Sequence, residues 1–141
     1  MAEPFEIDAV IANDLLAGTF PGNLGIELLE VADRSVRARL VVDERHLHGG
    51  GYVHGGCWVA FADTVAAWGT MRLLGGNAGF TTGELKMNVF TAAVPGDELV
   101  GTGEALHVGG RTQVWEVRVH RLRDGVERLA ANFTCTQHIL S

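Results

Sequence analysis

A run of twenty residues, 55–74, is apolar on every side when it is drawn as a helix, yet Asp63 lies near its middle. The few polar residues of the run form no continuous stripe, and a helix that is apolar all round is a buried helix. Burying a carboxylate costs free energy unless it is paired, hydrogen-bonded or put to chemical use. We therefore expect a fold that surrounds one central helix, with chemistry at Asp63.

Composition limits the classes of protein that remain. The 141 residues are 47% hydrophobic, which predicts one domain over residues 1–141 with a real core. A net charge of −6 argues against nucleic-acid binding, which needs a basic face. No uncharged apolar segment is long enough to span a membrane, and the acidic residues 1–6 do not resemble a secretory signal. Cys57 and Cys135 lack CxxC spacing, which is typical of a cytoplasmic protein with free thiols.

The hydrophobic pattern predicts a helix, two strands, a polar glycine-rich loop, the central helix and then about four antiparallel strands. A sheet of this length beside a single apolar helix is expected to curl around that helix. One small subunit can hardly cover the helix on all sides, so part of its apolar surface is expected to meet another subunit. The segments are expected over 6–17, 24–32, 35–42, 43–53, 55–74, 85–89, 98–107, 112–122 and 129–135.

The start of the central helix is a second candidate for chemistry. His54, Gly55 and Gly56 open it, and the first N–H groups of a helix point outward with a partial positive charge. Glycine lets a substrate come close to the backbone, which suits a carbonyl oxygen that becomes negative during a reaction. The alternative is that the two glycines only permit a tight turn from loop to helix.

The spacing between these two candidates has a geometric consequence. Asp63 follows His54 by nine residues, which is about 13 Å along one helix. Two groups so far apart cannot both touch one small reacting atom, so a shared site requires two chains packed antiparallel. The alternative is that Asp63 is a structural carboxylate, bonded to Thr82 or to a backbone amide.

The loop before the central helix and Cys57 offer other candidate sites. His46, His48 and His54 lie close together and are typical zinc ligands, but no recognised spacing extends the set, and no metal or cofactor is expected. The glycines at 49–51 lack the GxxxxGK[ST] pattern of a phosphate loop. Cys57 is a candidate nucleophile, although a small core residue is the more typical role for a cysteine inside a buried helix.

Residues 20–138 resemble the hotdog-fold acyl-CoA thioesterases of the PaaI-like and 4-hydroxybenzoyl-CoA type. The resemblance implies an α+β fold in which an antiparallel sheet wraps one long helix. It also implies dimers, usually paired into tetramers, with active sites at the dimer interface. The matching motifs are Gly51-x-x-His54-Gly55-Gly56 followed by Asp63, Thr82-x-Glu84-Leu85 with Asn88 and Phe90, Pro95-Gly96-Asp97, and Gly110-Arg111.

The resemblance also implies roles for the catalytic residues. The Gly55 N–H would polarise the thioester carbonyl, and Asp63 of the facing subunit would act as general base on water or as nucleophile. Thr82 occupies a position where a hydroxyl orients the carboxylate or the water. His54 would shape the turn and help to position the thioester.

Substrate contacts follow from the same resemblance, with one departure from the family pattern. Gly56 and Arg111 are expected to bind substrate, with Arg111 near the CoA phosphates. Six residues before His54 the family has Asn or Gln, whereas this chain has His48, which can also donate a hydrogen bond but titrates near neutral pH. With a shifted alignment, His46 takes that place instead. The acyl group would be walled by residues of the central helix and its partner, with candidates at Trp58, Phe61 and Trp68, although a plain core role is the more typical one for each.

The predicted function is hydrolysis of a small or medium acyl-CoA, aromatic ones included, in the cytoplasm, with no nucleic-acid or membrane partner. A non-catalytic acyl-CoA sensor on the same fold is the main alternative, and a hydratase or dehydratase of that fold ranks lowest. The sequence leaves open the acyl group, the choice between base and nucleophile for Asp63, and the choice between dimer and tetramer.

Overall fold

The computed structural model describes residues 6–140, so most of the acidic start on which a secretory signal was discounted lies outside the described residues. The predicted order of a helix, two strands, the central helix and four strands is confirmed, with one short helix added after the first. The elements are α1 (Ala9–Leu16), α2 (Phe20–Asn23), β1 (Glu27–Ala32), β2 (Ser35–Val41), α3 (Gly55–Leu74), β3 (Gly79–Val89), β4 (Glu98–Val108), β5 (Thr112–Arg123) and β6 (Val126–Leu140).

All six strands form one antiparallel sheet in the order β1-β2-β4-β5-β6-β3, and α3 packs against it. The predicted α+β class and the single long helix are therefore confirmed. β3 follows α3 in the chain but pairs with β6, so it lies at one edge of the sheet. Among the described residues, no helix is both long and apolar enough to cross a membrane.

Two glycines let α3 lie unusually close to the sheet. A Cβ atom at Gly69 would overlap the ring of Trp115 on β5. On β4, a Cβ atom at Gly103 would lie only 2.9 Å from a methyl carbon of Val65. Because these contacts are tight, they hold the helix at one depth over the sheet, and interiors packed this closely tolerate little change in volume.

The expectation that α3 is buried on every side needs correction for the single subunit. Its sheet-facing residues are buried, but one stripe at helical spacing is only half-buried. This stripe is partly exposed because the sheet curls around only part of α3. The helices α1 and α2 cover a further part. The half-buried stripe consists of Ala60, Asp63, Ala67, Met71 and Leu74.

Bulges change which residues of the last strands face the helix. A bulge between Thr82 and Glu84 shifts the alternation of β3, so that Thr82 and Leu85 both lie opposite buried positions of β6. A second irregularity, opposite β5 residues Val119 and His120, leaves Ala130 and Ala131 both buried. The predicted inward positions Ala131, Phe133 and Cys135 are confirmed, whereas the prediction for Leu129 is wrong, because its side chain is 37% exposed.

Two short elements were not predicted. α2 is a single turn whose N-cap is Thr19, with Pro21 in its first turn, and it lies next to α3. The polar loop after β2 contains a 3₁₀ turn, Glu44–His46, and a bridge between Leu47 and Val53, so this glycine-rich loop is ordered by hydrogen bonds.

Candidate active site

Asp63 and Thr82 are brought together by the packing of α3 on β3. The Thr82 hydroxyl donates a hydrogen bond to Asp63 Oδ1 at 2.8 Å, a contact that the sequence left open as one alternative. Burial raises the pKa of Asp63, and the hydrogen bond from Thr82 opposes that rise in part. The pair is therefore a carboxylate of enhanced basicity with one fixed partner.

An apolar cavity of about 460 Å³ opens beside Asp63. α1, α2 and the half-buried stripe of α3 form its walls. Of the candidate wall residues, Trp68 lines this cavity, whereas Phe61 is fully buried in the core and Trp58 borders a different cavity. The lining consists of Leu15, Leu16, Thr19, Phe20, Pro21, Ala60, Asp63, Thr64, Ala67, Trp68 and Met71, so Asp63 is its one charged group within residues 6–140.

Sequence reasoning missed a buried polar group behind this pair. Gln137 of β6 is fully buried, and its Oε1 lies 2.9 Å from Thr82 Oγ1. Its Nε2 lies 3.6 Å from Cys135 Sγ. A signal was present, because extending the inward alternation of Phe133 and Cys135 by one step places a glutamine on the core face.

The start of α3 presents one free backbone donor. The Gly56 N–H donates to His54 Nδ1 at 2.8 Å, so His54 is the N-cap of the helix. Among residues 6–140 no hydrogen-bond acceptor is found for the Gly55 N–H, and the space around this exposed glycine is open. In one chain, therefore, the donor available to a ligand is that of Gly55 rather than that of Gly56.

The structure does not bring this donor to Asp63 within one chain. Gly55 and Asp63 lie on the same helix, eight residues apart, which corresponds to about 12 Å. The Gly55 N–H and the Asp63 carboxylate are thus both present on α3, but within a single subunit they lie too far apart to act on one small group.

The loop histidines have separate environments. His48 is exposed, accepts a hydrogen bond from the Gly50 N–H at 2.9 Å and borders a second cavity of about 280 Å³, which Asp63 does not line. His46 is buried, with Nδ1 accepting from the Asp43 N–H and Nε2 donating to the Leu24 carbonyl at 2.7 Å. Because both its nitrogens are engaged, His46 holds the loop and is not placed to position water.

The remaining predicted residues lie elsewhere. Arg111 is exposed in the turn between β4 and β5, where its carbonyl accepts from the Ile139 N–H, and in the part of the chain described it shares no hydrogen bond with Asp63, Thr82 or Gly55. Cys57 is buried, and burial raises the pKa of its thiol, which argues against a nucleophilic role. Within residues 6–140 no three potential ligands converge on a metal site.

Comparison with known proteins decides the family. Residues 50–127, more than half of the chain, match the family model of the thioesterase superfamily. The chain belongs to the thioesterase superfamily. This thioesterase is 30% identical over 113 residues to the 1,4-dihydroxy-2-naphthoyl-CoA hydrolase of Listeria monocytogenes, a match that covers 80% of this chain and 89% of that protein.

Solved structures agree with the fold of this thioesterase. A mutant of the Pseudomonas aeruginosa thioesterase PA1618 superposes with a TM-score of 0.85 at 21% identity, covering 95% of this chain and 94% of that one. A hypothetical thioesterase from Streptococcus pneumoniae, solved with coenzyme A, gives a TM-score of 0.73 at 22% identity, covering 82% and 86%. The hotdog fold and the assignment as a thioester hydrolase, both implied by the sequence motifs, are confirmed.

Proposed function

We propose that this thioesterase hydrolyses acyl-CoA thioesters with small or medium acyl groups, aromatic groups included, to the free acid and CoA. The observation that carries the proposal is a carboxylate of raised pKa, Asp63, held by Thr82 at the wall of an apolar cavity. The relative from Listeria is named for a bicyclic aromatic acyl-CoA, and the Streptococcus neighbour binds CoA, both of which support this substrate class.

In this proposal Asp63 is the reacting side chain, either as a general base or as a nucleophile. As a general base it takes a proton from water while the water oxygen bonds to the thioester carbonyl carbon, and the C–S bond then breaks. The CoA sulfur leaves with the proton from Asp63. As a nucleophile, its oxygen bonds to the thioester carbonyl carbon while the C–S bond breaks, so CoA leaves as the thiolate and a short-lived anhydride remains. Water then hydrolyses that anhydride to the acid and the Asp63 carboxylate, and a proton from the water ends on the CoA thiolate. Burial favours both routes because it makes the carboxylate more basic.

The Gly55 N–H polarises the thioester carbonyl in this proposal. The His54 ring occupies the neighbouring Gly56 N–H, so the helix start offers one directed donor, backed by the partial positive charge of the helix end. His54 thereby shapes the turn, and Gly56 makes room for its ring, since a Cβ atom there would lie 3.0 Å from His54 Nδ1. The open space through which a substrate reaches the backbone lies at Gly55.

The site is completed by a second subunit. Because about 12 Å of helix separates Gly55 from Asp63, the two groups that act on one thioester come from facing copies of α3. Two features of the single subunit support such a dimer. The α3 stripe around Asp63 is half-exposed, and β3 is an edge strand that exposes the apolar side chains of Leu85 and Val89.

Two further residues act in the dimer. In the facing subunit His48 would lie near the thioester and orient the water, in place of the amide found in the family, and Arg111 would bind CoA phosphate. Pairing of such dimers into a tetramer is the arrangement that the family resemblance implies. The cavity beside Asp63 receives the acyl group, since its size and its apolar lining are typical of pockets for small organic groups.

The test is thiol release from a panel of aromatic and straight-chain acyl-CoAs, with wild type beside Asp63→Ala. We expect a loss of turnover of about 10²-fold or more in the variant, because the base or nucleophile is gone. Asp14→Ala is a matched control, since Asp14 is an exposed aspartate on α1 and its removal should leave turnover unchanged.

Circular dichroism of each variant establishes that the fold is intact. Hydrolysis at the wild-type rate by Asp63→Ala would contradict the proposal. Tight binding of acyl-CoA to wild type with no thiol release would replace it with a binding role.

A further inference from the structure

The Thr82 hydroxyl has two acceptors within reach but only one proton. Its Oγ1 lies 2.8 Å from Asp63 Oδ1 and 2.9 Å from Gln137 Oε1. A hydroxyl donates one hydrogen bond, so these two oxygens compete for the same proton. At the same time the Gln137 amide nitrogen is a strong donor, yet within residues 6–140 it faces only the weak acceptor Cys135 Sγ, at 3.6 Å.

Turning the Gln137 amide by 180° gives the Thr82 oxygen, the Thr82 proton and the Cys135 thiol one partner each. The oxygen and nitrogen of an amide are nearly alike in size, and their positions are assigned from the partners they meet. In the turned orientation Nε2 donates to Thr82 Oγ1, and Thr82 donates its proton to Asp63. The Cys135 thiol then donates to Gln137 Oε1. Cys135 is present as the thiol because burial, together with the nearby charge of Asp63, raises its pKa to about 12.

Strand register and burial hold the Gln137 amide beside Thr82. Gln137 lies directly opposite Thr82 in the register between β6 and β3, and it is 0% exposed. Buried polar groups need partners within the protein, because no water replaces them at low cost. On its other side Gln137 lies opposite Gln113 of β5, whose Oε1 already accepts from Trp115 Nε1 at 3.0 Å.

We propose that Gln137 is a positioning residue for thioester hydrolysis: by donating its amide N–H to Thr82, it directs the single Thr82 proton onto Asp63. Gln137 itself touches no substrate. This role rests on the proposed function of Asp63, since an aligned hydrogen bond to that carboxylate matters to turnover only if the carboxylate reacts.

The two orientations of the amide predict opposite effects when the amide is removed. A donating amide keeps the Thr82 proton on Asp63, so its loss frees the hydroxyl and raises the pKa of Asp63. An accepting amide competes for that proton, so its loss strengthens the bond to Asp63 and lowers the pKa. Within the described residues, Cys135 is the titratable group whose pKa is raised by the charge of Asp63. Its thiol stays protonated over the pH range of the experiment.

The experiment compares Gln137→Met with Gln113→Met. Both changes replace a buried glutamine by a side chain of similar volume without strong hydrogen-bonding atoms, but only the first removes a partner of Thr82. The measurement is kcat/KM for acyl-CoA hydrolysis from acidic to neutral pH. For Gln137→Met we expect the acidic limb to move to higher pH, with kcat lowered about 3- to 10-fold on that limb and KM unchanged.

Gln113→Met is expected to leave the limb in place even if it lowers the melting temperature. An acidic limb that stays in place or moves to lower pH in Gln137→Met overturns the inference, as does an equal shift in both variants.

Asp63→Asn separates this inference from the proposed function. If Asp63→Asn retains turnover, the proposed function fails, and the positioning role fails with it. If Asp63→Asn is inactive while Gln137→Met keeps the wild-type pH profile, only the positioning role fails.

A measurement on the wild-type protein tests the orientation without any substitution. In the proposed orientation the Gln137 side-chain NH₂ protons show nuclear Overhauser contacts to the Thr82 side chain. Contacts to the Cys135 β-protons instead overturn the proposal, and this test stands even if Gln137→Met does not fold.

Discussion

Asp63 and Asp97 are two aspartates set largely inside the same protein, and the protein treats them in opposite ways. Asp97 is 2% exposed, and its two carboxylate oxygens accept from Arg123 at 2.7 Å each, while Oδ2 also accepts from the Val94 N–H. The hydrogen bonds from Arg123 hold the pKa of Asp97 below its ordinary value. Asp63 has one hydroxyl partner, and burial raises its pKa.

The difference shows how partners decide what a buried carboxylate does. Three donors and a positive charge stabilise the Asp97 carboxylate. It therefore links the turn before β4 to the end of β5 and is a weak base. Asp63 faces an apolar cavity with most of its hydrogen-bonding capacity unused. A carboxylate in that environment lowers the stability of the protein, but its raised pKa makes it a stronger base.

Asp97→Asn gives the largest expected change in stability. The substitution removes the charge that Arg123 and the Val94 N–H bind, so we expect the free energy of unfolding to fall by about 2 kcal/mol or more. Urea denaturation measures the change. Per folded molecule, kcat/KM for acyl-CoA hydrolysis should match wild type, and a loss of turnover as large as that of Asp63→Ala would break the contrast between the two aspartates.

Thr82→Val tests the one side-chain hydrogen bond that Asp63 makes within residues 6–140. Valine has the shape of threonine without the hydroxyl, so the hydrogen bond that opposes the effect of burial disappears and the pKa of Asp63 rises further. We expect the acidic limb of kcat/KM to move to higher pH, with a loss of about 3- to 10-fold on that limb. Thr81→Val, at the exposed neighbouring position, is the matched control and should leave the profile unchanged.

The smallest expected effect is the pH dependence of stability, where the two aspartates have opposite signs. Asp97, whose folded pKa is lowered, contributes stability above the ordinary carboxyl pKa, and that stability is lost as pH falls through the folded value. Asp63, whose folded pKa is raised, costs stability once pH rises through its folded value.

Melting curves across pH should therefore show Asp63→Asn slightly more stable than wild type at neutral pH, with the difference vanishing in acid. The Asp97→Asn variant should lose less stability than wild type on acidification. A less stable Asp63→Asn at neutral pH would mean that its carboxylate is a structural group after all.

Much of the fold was predictable because strong local signals agreed. The bounds of α3 follow from its apolar run, from the His54 cap at its start and from Gly75, which adopts the left-handed conformation that ends the helix. The hairpin turn before β6 was likewise marked by Asp124 and Gly125, both at positive φ. The sequence offered the pairing of Thr82 with Asp63 as one alternative, because a carboxylate in apolar surroundings needs a partner.

Other features depended on tertiary packing. The half-buried stripe of α3 is set by how far the sheet curls, which no local pattern encodes. The four-residue α2 is too short to show a helical period. Gln137 was missed because the predicted strand ended at residue 135, one step short of it. Its importance appears only when register places it opposite Thr82.

The contact between Gly69 and Trp115 has a consequence for how relatives of this chain diverge. A side chain at position 69 would push α3 away from β5, and Asp63 on the same rigid helix would be carried away from Thr82. In any descendant that keeps the carboxylate working, an enlarged residue 69 requires a smaller residue 115. The two positions should therefore change as a linked pair across related sequences, although neither one touches the acyl group.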